Sequence, residues 1–422
     1  MSYLFTQSSS IATTAVNSDA FSRTRISEPF TLGDYKHLYG LDPNFHDAVW
    51  TGGTVTFQTN KACARLTVTS STGSRVVHQS KMYHHYMPGK SQLIMSSVNF
   101  YAATTGIVKR TGYYDDKNGI YFEQDANGVL YWVMRTYTSG SVVEERVAQT
   151  NWNQDKLNGT GASGINLDIT KTQLALIDFQ WLGVGRVRCG FAFDGKDYIA
   201  HTFTGTNVKD VVYISSPNLP IRCELLNTSA TTSAYFDQIC STVISEGGYI
   251  ENGIDWSVAS PTLRSLAPGS SSPIIALALA PTFRTYENRV TIRMGNLNIL
   301  ADGANCQWSL VKISSLTQLN GTWVGADAGA VNDSAALYNT SATTLSGSYD
   351  EMDNGWAAGA PAQGNTPTTS SAPSPNFPSS AKKNFITQNI TATTSEAYVV
   401  MVKNVNAATA TVGVGIQWRE IY

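Results

Sequence analysis

The stretch TQLALIDFQWLGVGRVRCGFAFDGKDYIAHTF, residues 172–203, constrains the fold more than any other part of the chain. Side chains that would share one strand face recur at every second position in three runs: Ala175, Ile177, Phe179 and Trp181; Val187, Cys189, Phe191 and Phe193; and Ile199, His201 and Phe203. The connections contain Gly183, Gly185 and Gly195, and glycine readily takes the positive φ that tight turns need. The alternation predicts three antiparallel strands, each with one face on a core and one polar face. Arg186 and Arg188 lie on the polar face of the second strand.

Strand signals continue with hardly a break from about residue 48 to residue 248, and two of the turns end in Asn-Gly, a strong hairpin signal. A single sheet of so many strands would have to fold over on itself. No stretch combines a helical apolar stripe with helix caps over three turns. We therefore predict an all-β fold, with a large antiparallel β-sandwich or jelly roll of the concanavalin-like kind over residues 46–248.

The remaining segments complete the predicted domain organisation. Residues 1–45 lack periodicity and are expected to form an extended arm, and residues 249–281 are expected to be a linker that contains one apolar strand, 274–280. A second, smaller β-sandwich is predicted over residues 282–422. It is interrupted by a long loop, 354–383, with five prolines and no apolar period. We expect this loop to mediate assembly or attachment, and its candidate contact residues are Trp356, Pro361, Pro373 and Phe377.

Charged residues make up 14% of the chain, against about 25% in an ordinary soluble domain. Buried interfaces are depleted in charge and enriched in aromatic residues, so the composition favours a homo-oligomer, most simply a trimer. The net charge of −2 favours neither nucleic acid nor an acidic membrane as a partner. We find no signal-peptide pattern and no apolar run long enough for a membrane helix. Five widely spaced cysteines without a CxxC pair are typical of free thiols in a reducing cytoplasm.

The sequence contains none of the common catalytic or metal-binding patterns. A strand with alternating carboxylates would suit glycoside hydrolysis, but Glu144 and Glu145 are adjacent and point to opposite faces. GxSxG, Walker A and dinucleotide fingerprints are missing. His78, His84 and His85 are expected to be interface residues or hydrogen-bonded surface residues, not metal ligands. The Asp115–Gly119 segment favours a hairpin turn over a calcium loop. The sequence therefore predicts a protein that is not an enzyme and that needs no cofactor or metal.

Aromatic residues leave two interpretations open. In the first interpretation they line a sugar-binding groove on the concave face of a sheet. In the second, which we favour, they are anchors of the core and of subunit interfaces. The residues concerned are Trp132, Trp152, Trp181, Tyr113, Tyr114 and Tyr131.

Longer motifs in the predicted large sandwich carry a resemblance to a known family. They are MPGKSQLIMSS (87–97), GYYDDKNGIYFEQDANGVLYWVMRT (112–136), NWNQDKLNGTGASGINLDITKTQ (151–173), DFQWLGVGRVRCGF (178–191), SSPNLPIRCELLNT (215–228) and ICSTVISEGGY (239–249). The second module adds the vaguer QWSLVKI (307–313) and TQLNGTWVGAD (317–327). With these motifs the chain resembles a family of virion structural proteins of tailed bacteriophages, especially aquatic ones.

The resemblance implies a non-enzymatic component of a virus particle, made in the host cytoplasm. Its expected partners are copies of itself and other virion proteins, as an exposed capsid protein (decoration, fibre or vertex) or a tail protein. The alternative is a receptor- or glycan-binding adhesin of the same particle, which would add a host surface glycan as partner. A polysaccharide-degrading enzyme is a third class, and the missing carboxylate motif argues against it.

Overall fold

The structure is a computed structural model that describes residues 28–327, 333–359 and 385–422. The chain divides into two compact units, the first made of residues up to Ser80 with His84–Tyr249, and the second of Lys81–Tyr83 with Ile250–Tyr422. The described residues contain β-strands and two 3₁₀ turns, Gln149–Asn151 and Leu316–Gln318. Among them no helix has the length and apolar character to cross a membrane. The predicted all-β fold class is confirmed.

The described part of the first unit has fifteen strands. They are β1 (Phe30–Lys36), β2 (Phe45–Trp50), β3 (Thr54–Gln58), β4 (Cys63–Val68), β5 (Arg75–Ser80), β6 (Gln92–Asn99), β7 (Ile107–Tyr114), β8 (Gly119–Gln124), β9 (Leu130–Thr136), β10 (Val143–Ala148), β11 (Gln173–Phe179), β12 (Val187–Phe193), β13 (Lys196–Phe203), β14 (Ile221–Asn227) and β15 (Ala234–Ser245). One sheet has the order β13-β12-β11-β6-β15-β4-β3, with β1 also paired to β15. The other has the order β10-β9-β8-β7-β14-β5-β2.

The core of the first unit consists of alternate side chains from both sheets. Phe122 and Phe191 meet edge to face with their ring centroids 5.1 Å apart, and Trp132 lies 5.2 Å from Phe122. Because side chains alternate between the two faces of a strand, the neighbours Tyr121 and Glu123 point away from this core. The alternation therefore places a second set of side chains on the outer face of the seven-stranded sheet.

The three strands predicted over residues 172–203 are confirmed as β11, β12 and β13, which pair antiparallel in that order. Gly183 and Gly195 have positive φ, 78° and 74°, as their turns require. Gly185 is needed for a different reason, because a Cβ atom there would overlap the carbonyl oxygen of Gln180. Cys189 is buried as a free thiol.

The second unit has thirteen strands among its described residues. They are β16 (Ile254–Ala259), β17 (Arg264–Leu266), β18 (Ser271–Leu279), β19 (Thr282–Phe283), β20 (Tyr286–Glu287), β21 (Thr291–Asp302), β22 (Cys306–Ile313), β23 (Val324–Gly325), β24 (Ala336–Asn339), β25 (Asp350–Ala357), β26 (Phe385–Ile386), β27 (Ala397–Asn404) and β28 (Ala410–Ile421). One sheet has the order β16-β28-β21-β26, with β17 also paired to β28. The other has the order β23-β24-β18-β27-β22-β25, and β19 and β20 form a separate hairpin.

The structure corrects three predicted boundaries. Within the predicted arm 1–45, β1 pairs with β15 and belongs to the sheet, while residues 1–27 lie outside the described residues. The predicted linker 249–281 supplies β16, β17 and β18, and β18 lies between β24 and β27 because its apolar side chains are buried on both faces. The predicted loop 354–383 begins inside β25, which pairs with β22; residues 360–383 lie outside the described residues.

Candidate functional site

The seven-stranded sheet of the first unit turns one face away from the core, and we name it the outward face. Arg110 on β7 lies directly opposite Glu123 on β8 and directly opposite Glu224 on β14. Directly opposed residues of antiparallel strands project on the same side of a sheet. Three charged side chains from three strands therefore form one row across the middle of this face.

The row extends into a continuous series of ion pairs that we name the ion-pair chain: Arg146, Glu123, Arg110, Glu224 and Arg75. Arg110 donates from Nε to Glu123 Oε2 over 2.6 Å and from Nη1 to Glu224 Oε1 over 3.4 Å. Arg75 Nε donates to the same Glu224 oxygen over 2.8 Å, and Arg146 forms an ion pair with Glu123. Arginine and glutamate alternate along the ion-pair chain, so every member has a neighbour of opposite charge.

Burial differs between the acids and the bases of the ion-pair chain. The side chains of Glu123 and Glu224 are 0% and 2% exposed, whereas those of Arg110, Arg75 and Arg146 are 15%, 30% and 32% exposed. The carboxylates therefore lie beneath the guanidinium groups and hold them in place. A bidentate or bridging carboxylate also fixes the plane of a guanidinium group. The outward face thus presents arginines whose orientation is set before any ligand arrives.

The electrostatics keep Glu224 and Glu144 ionised. Burial alone would raise the pKa of Glu224, but the guanidinium groups of Arg222, Arg110 and Arg75 outweigh it and lower the pKa to about 2. Burial likewise opposes ionisation of Glu144, while hydrogen bonds from Tyr121 and Arg135 lower its pKa. Both groups are carboxylates at neutral pH, and as such they can accept hydrogen bonds and stabilise positive charge.

Two further arginines lie beside the ion-pair chain on the same face. Arg135 Nη2 donates to Glu144 Oε1 over 2.8 Å, and Arg222 Nη2 donates to Asp116 Oδ1 over 2.7 Å. The Asp116 side chain is 60% exposed and lies at the rim. Counting these pairs with the ion-pair chain, five arginines face four carboxylates, which leaves one net positive charge.

An aromatic ring lies under the arginine at each end of the ion-pair chain. The Arg146 guanidinium carbon is 4.5 Å from the ring centroid of Tyr131, and that of Arg75 is 4.7 Å from the ring of Trp50. Tyr131 is half-buried and Trp50 is 36% exposed. Both rings keep accessible surface at the two sides of the sheet, where a ligand could pack against them.

The structure separates the aromatic residues that the sequence analysis grouped together. Trp132, Trp152 and Tyr113 are buried in the core between the sheets, so they cannot line a surface groove. Trp181 packs against that core and donates from Nε1 to the carbonyl of Ile214. Tyr114 is buried on the outward face with Tyr121 and Val133, and Tyr131 packs on them with part of its ring exposed. Tyr131 is therefore the member of the predicted set that a ligand could reach on the outward face, and the sequence analysis did not identify Trp50.

The residues predicted for assembly fall mostly outside the described part of the chain. Trp356 lies on β25 and is 66% exposed. Pro361, Pro373 and Phe377 lie outside the described residues.

His78 and His84 are buried and hydrogen-bonded inside the first unit, so the prediction that they are surface or interface residues is wrong. His84 Nδ1 faces the carbonyl oxygen of Leu219 at 3.0 Å, so it carries the hydrogen, and Nε2 accepts from the hydroxyl group of Tyr35 at 2.8 Å. His78 Nδ1 pairs with Asp47, and its ring stacks on Phe45. In the described ranges, no cluster of three or more histidine, cysteine or acidic residues is arranged to hold a metal ion.

The Asp115–Gly119 segment is a turn between β7 and β8. Asp115 Oδ1 accepts from the backbone N–H groups of Lys117 and Asn118, both over 2.8 Å. A carboxylate that accepts from the next residues of its own turn stabilises that turn. The predicted hairpin is thus confirmed at this position.

Sequence reasoning missed the carboxylates of the outward face because it sought them on one strand. Glu123, Glu144 and Glu224 come from β8, β10 and β14, and only the pairing of those strands brings them to one face. For two of them a signal was present in the alternation itself, since Glu123 and Glu224 are flanked by buried residues, whereas the neighbours of Glu144 are exposed. That alternation shows which face a glutamate takes, but it does not show which strand lies next to it.

The sequence matches no protein-family model and none of the curated proteins compared with it. Several solved structures resemble the fold. A β-1,3-glucanase from Mycobacterium marinum is 14% identical, with a TM-score of 0.34, over 51% of this chain and 98% of its own. A glycoside hydrolase family 16 endo-glucanase from Bacteroides ovatus is 11% identical, with a TM-score of 0.32, over 50% and 99%. The carbohydrate recognition domain of Emp47p is 13% identical, with a TM-score of 0.31, over 52% and 96%.

These comparisons contradict the prediction that the chain is not an enzyme, since two of the three structures are named glucanases. The prediction also rested on a search for carboxylates within one strand, whereas the tertiary structure collects them from three. The likeness itself concerns the fold, that of a concanavalin-like β-sandwich. It assigns neither an activity nor a substrate to this chain.

Proposed function

We propose that the first unit binds carbohydrate on its outward face, as a receptor- or glycan-binding protein. The observation that carries the proposal is the ion-pair chain with an aromatic ring at each end. Sugars offer hydroxyl groups for hydrogen bonds and C–H faces for packing against rings. Recognition sites commonly pair a few fixed polar groups with apolar surface, and the outward face supplies both.

The arginines of the ion-pair chain are suited to this role by their remaining donors. Arg110 uses Nε and Nη1 on carboxylates, Arg75 uses Nε and Nη2, and Arg146 uses Nη1 and Nη2. Within the described residues each guanidinium group keeps one nitrogen that has no protein acceptor. The face therefore presents three fixed N–H donors, and hydroxyl oxygens of a sugar can accept from them.

Binding on a glycan array, followed by calorimetry with the strongest neutral and acidic glycans, tests the proposal. Wild-type protein is compared with Tyr131→Ala and Trp50→Ala, which remove the rings under Arg146 and Arg75. Tyr235→Ala is the matched control, because Tyr235 is an exposed ring under Arg65, 4.1 Å away, on the other sheet. We expect both face variants to weaken binding and the control to bind like wild type.

The same incubations are assayed for newly formed reducing ends, which separates binding from cleavage of the glycan. Absence of binding to every glycan at millimolar concentration would contradict the proposed function. Equal loss of binding in all three variants would also contradict it, because the control ring lies on the other sheet.

We also propose that the protein is a component of a phage particle and self-associates, a proposal supported by the sequence motifs and the low charge content. Two of those motifs, 112–136 and 215–228, supply residues of β7, β8, β9 and β14 and thus the middle of the outward face. Mass spectrometry of purified particles tests the location. Light scattering tests self-association, and a monomer at micromolar concentration would contradict it.

A further inference from the structure

We propose that the outward face takes a linear, uncharged oligosaccharide that runs across the strands and reaches both aromatic rings at once. This inference rests on the proposed function and specifies its ligand. The observation behind it is the distribution of the free donors, which lie on three strands spread over most of the sheet.

The spacing of the strands sets the length of the ligand. Arg146 is on β10, Arg110 on β7 and Arg75 on β5. Three strand spacings therefore separate Arg146 from Arg110, and two separate Arg110 from Arg75. Neighbouring strands lie about 4.8 Å apart, which gives about 24 Å across the strands from one end to the other. A pyranose unit is roughly as long as one strand spacing, so about five units are needed to contact all three donors.

The direction of the ligand follows from the positions of the rings. Tyr131 on β9 lies under Arg146, and Trp50 on β2 lies under Arg75, so the rings mark opposite sides of the sheet. A ligand that packs on both rings has to cross β8, β7, β14 and β5 between them. Above those strands the ligand passes the free nitrogen of Arg110, whose side chain is 15% exposed.

The charge arrangement favours an uncharged ligand. Each of the three arginines of the ion-pair chain already has two nitrogens on carboxylates. The two adjacent nitrogens that a bidentate contact with a further carboxylate or sulfate group requires are therefore not both free. A single free nitrogen suits a hydroxyl oxygen.

The test uses oligosaccharide ladders of two to six units prepared from glucan, mannan and galactan, with an alginate ladder as the anionic arm. For a neutral ladder that binds, we expect affinity to rise with length and to level off at about five units. Trp50→Ala and Tyr131→Ala should each lower the affinity for the hexasaccharide about tenfold, the equivalent of 1.4 kcal/mol. Trp50→Phe, which keeps a ring, should restore most of the affinity, and Tyr235→Ala should have no effect.

Each outcome separates this inference from the function on which it rests. If no ladder and no array glycan binds, the proposed function itself fails. If a neutral disaccharide binds as tightly as the hexasaccharide, carbohydrate binding stands and the extended ligand is ruled out. The same holds if only one of the two ring substitutions lowers the affinity at every length. Tighter binding of the alginate ladder than of every neutral ladder overturns the assignment of an uncharged ligand.

Discussion

Arg110 and Glu224 lie directly opposite each other on β7 and β14, and Arg110 Nη1 donates to a carboxylate that is 2% exposed. The same guanidinium group holds Glu123, which is 0% exposed. Burying a carboxylate is unfavourable unless it is paired and hydrogen-bonded. Arg110 therefore contributes to the stability of the sheet as well as to the surface that the sheet presents.

Replacing Arg110 by methionine should destabilise the protein by about 3 kcal/mol or more, because it leaves two buried carboxylates with fewer partners. Arg419→Met is the matched control. Arg419 pairs with Asp255 over 2.7 Å, but both side chains are exposed, and an exposed pair contributes less than about 1 kcal/mol. Urea denaturation of both variants measures the difference. Equal losses would show that burial of the glutamates does not decide the effect.

Acid should remove the stabilisation that comes from Glu224. Its pKa is lowered from 4.5 to about 2 in the folded protein, so the unfolded chain binds a proton more readily between those values. The contribution is complete above pH 4.5 and is lost as the pH falls toward 2. Glu224→Gln should be less stable than wild type at pH 7, and the difference should shrink between pH 5 and pH 2. A constant difference over that range would contradict the lowered pKa.

His84 should make stability fall in a different pH range. Burial lowers its pKa from 6.5 to about 4, although its hydrogen bond to the carbonyl of Leu219 opposes the effect. The unfolded chain therefore binds a proton first, and stability decreases as the pH falls from 6.5 to 4. In His84→Gln the decrease over this range should be smaller. Glu224→Gln serves as the control, since above pH 5 it should leave the pH dependence unchanged.

The turn between β12 and β13 should not tolerate a β-branched residue at Gly195. Its φ of 74° is strained for any L-residue, although no neighbouring atom lies within 4 Å of the position that a Cβ would take. Gly195→Val should therefore cost about 1 kcal/mol or more through the backbone alone. Gly40 also has open space around it and lacks the positive φ, so Gly40→Val should cost less. Thermal melting compares the two, and equal melting temperatures would contradict the argument.

The alternation of side chains determined much of this protein. It predicted β11, β12 and β13, the all-β class and the sandwich, because a period of two commits each residue to one face of a strand. It did not show that β18, taken for part of a linker, is a central strand of the second unit. A short apolar segment carries no information about the strands that pair with it.

The outward face was decided by the tertiary structure. Glu123 and Glu224 are about a hundred residues apart in the sequence, and β7 has to lie between their strands before Arg110 can pair with both. Likewise, Trp132 and Tyr131 are neighbours in the chain, yet the first is in the core and the second on the outward face. Local pattern sets which face a side chain takes. The order and register of distant strands set which side chains meet there, and this depends on packing of the whole core.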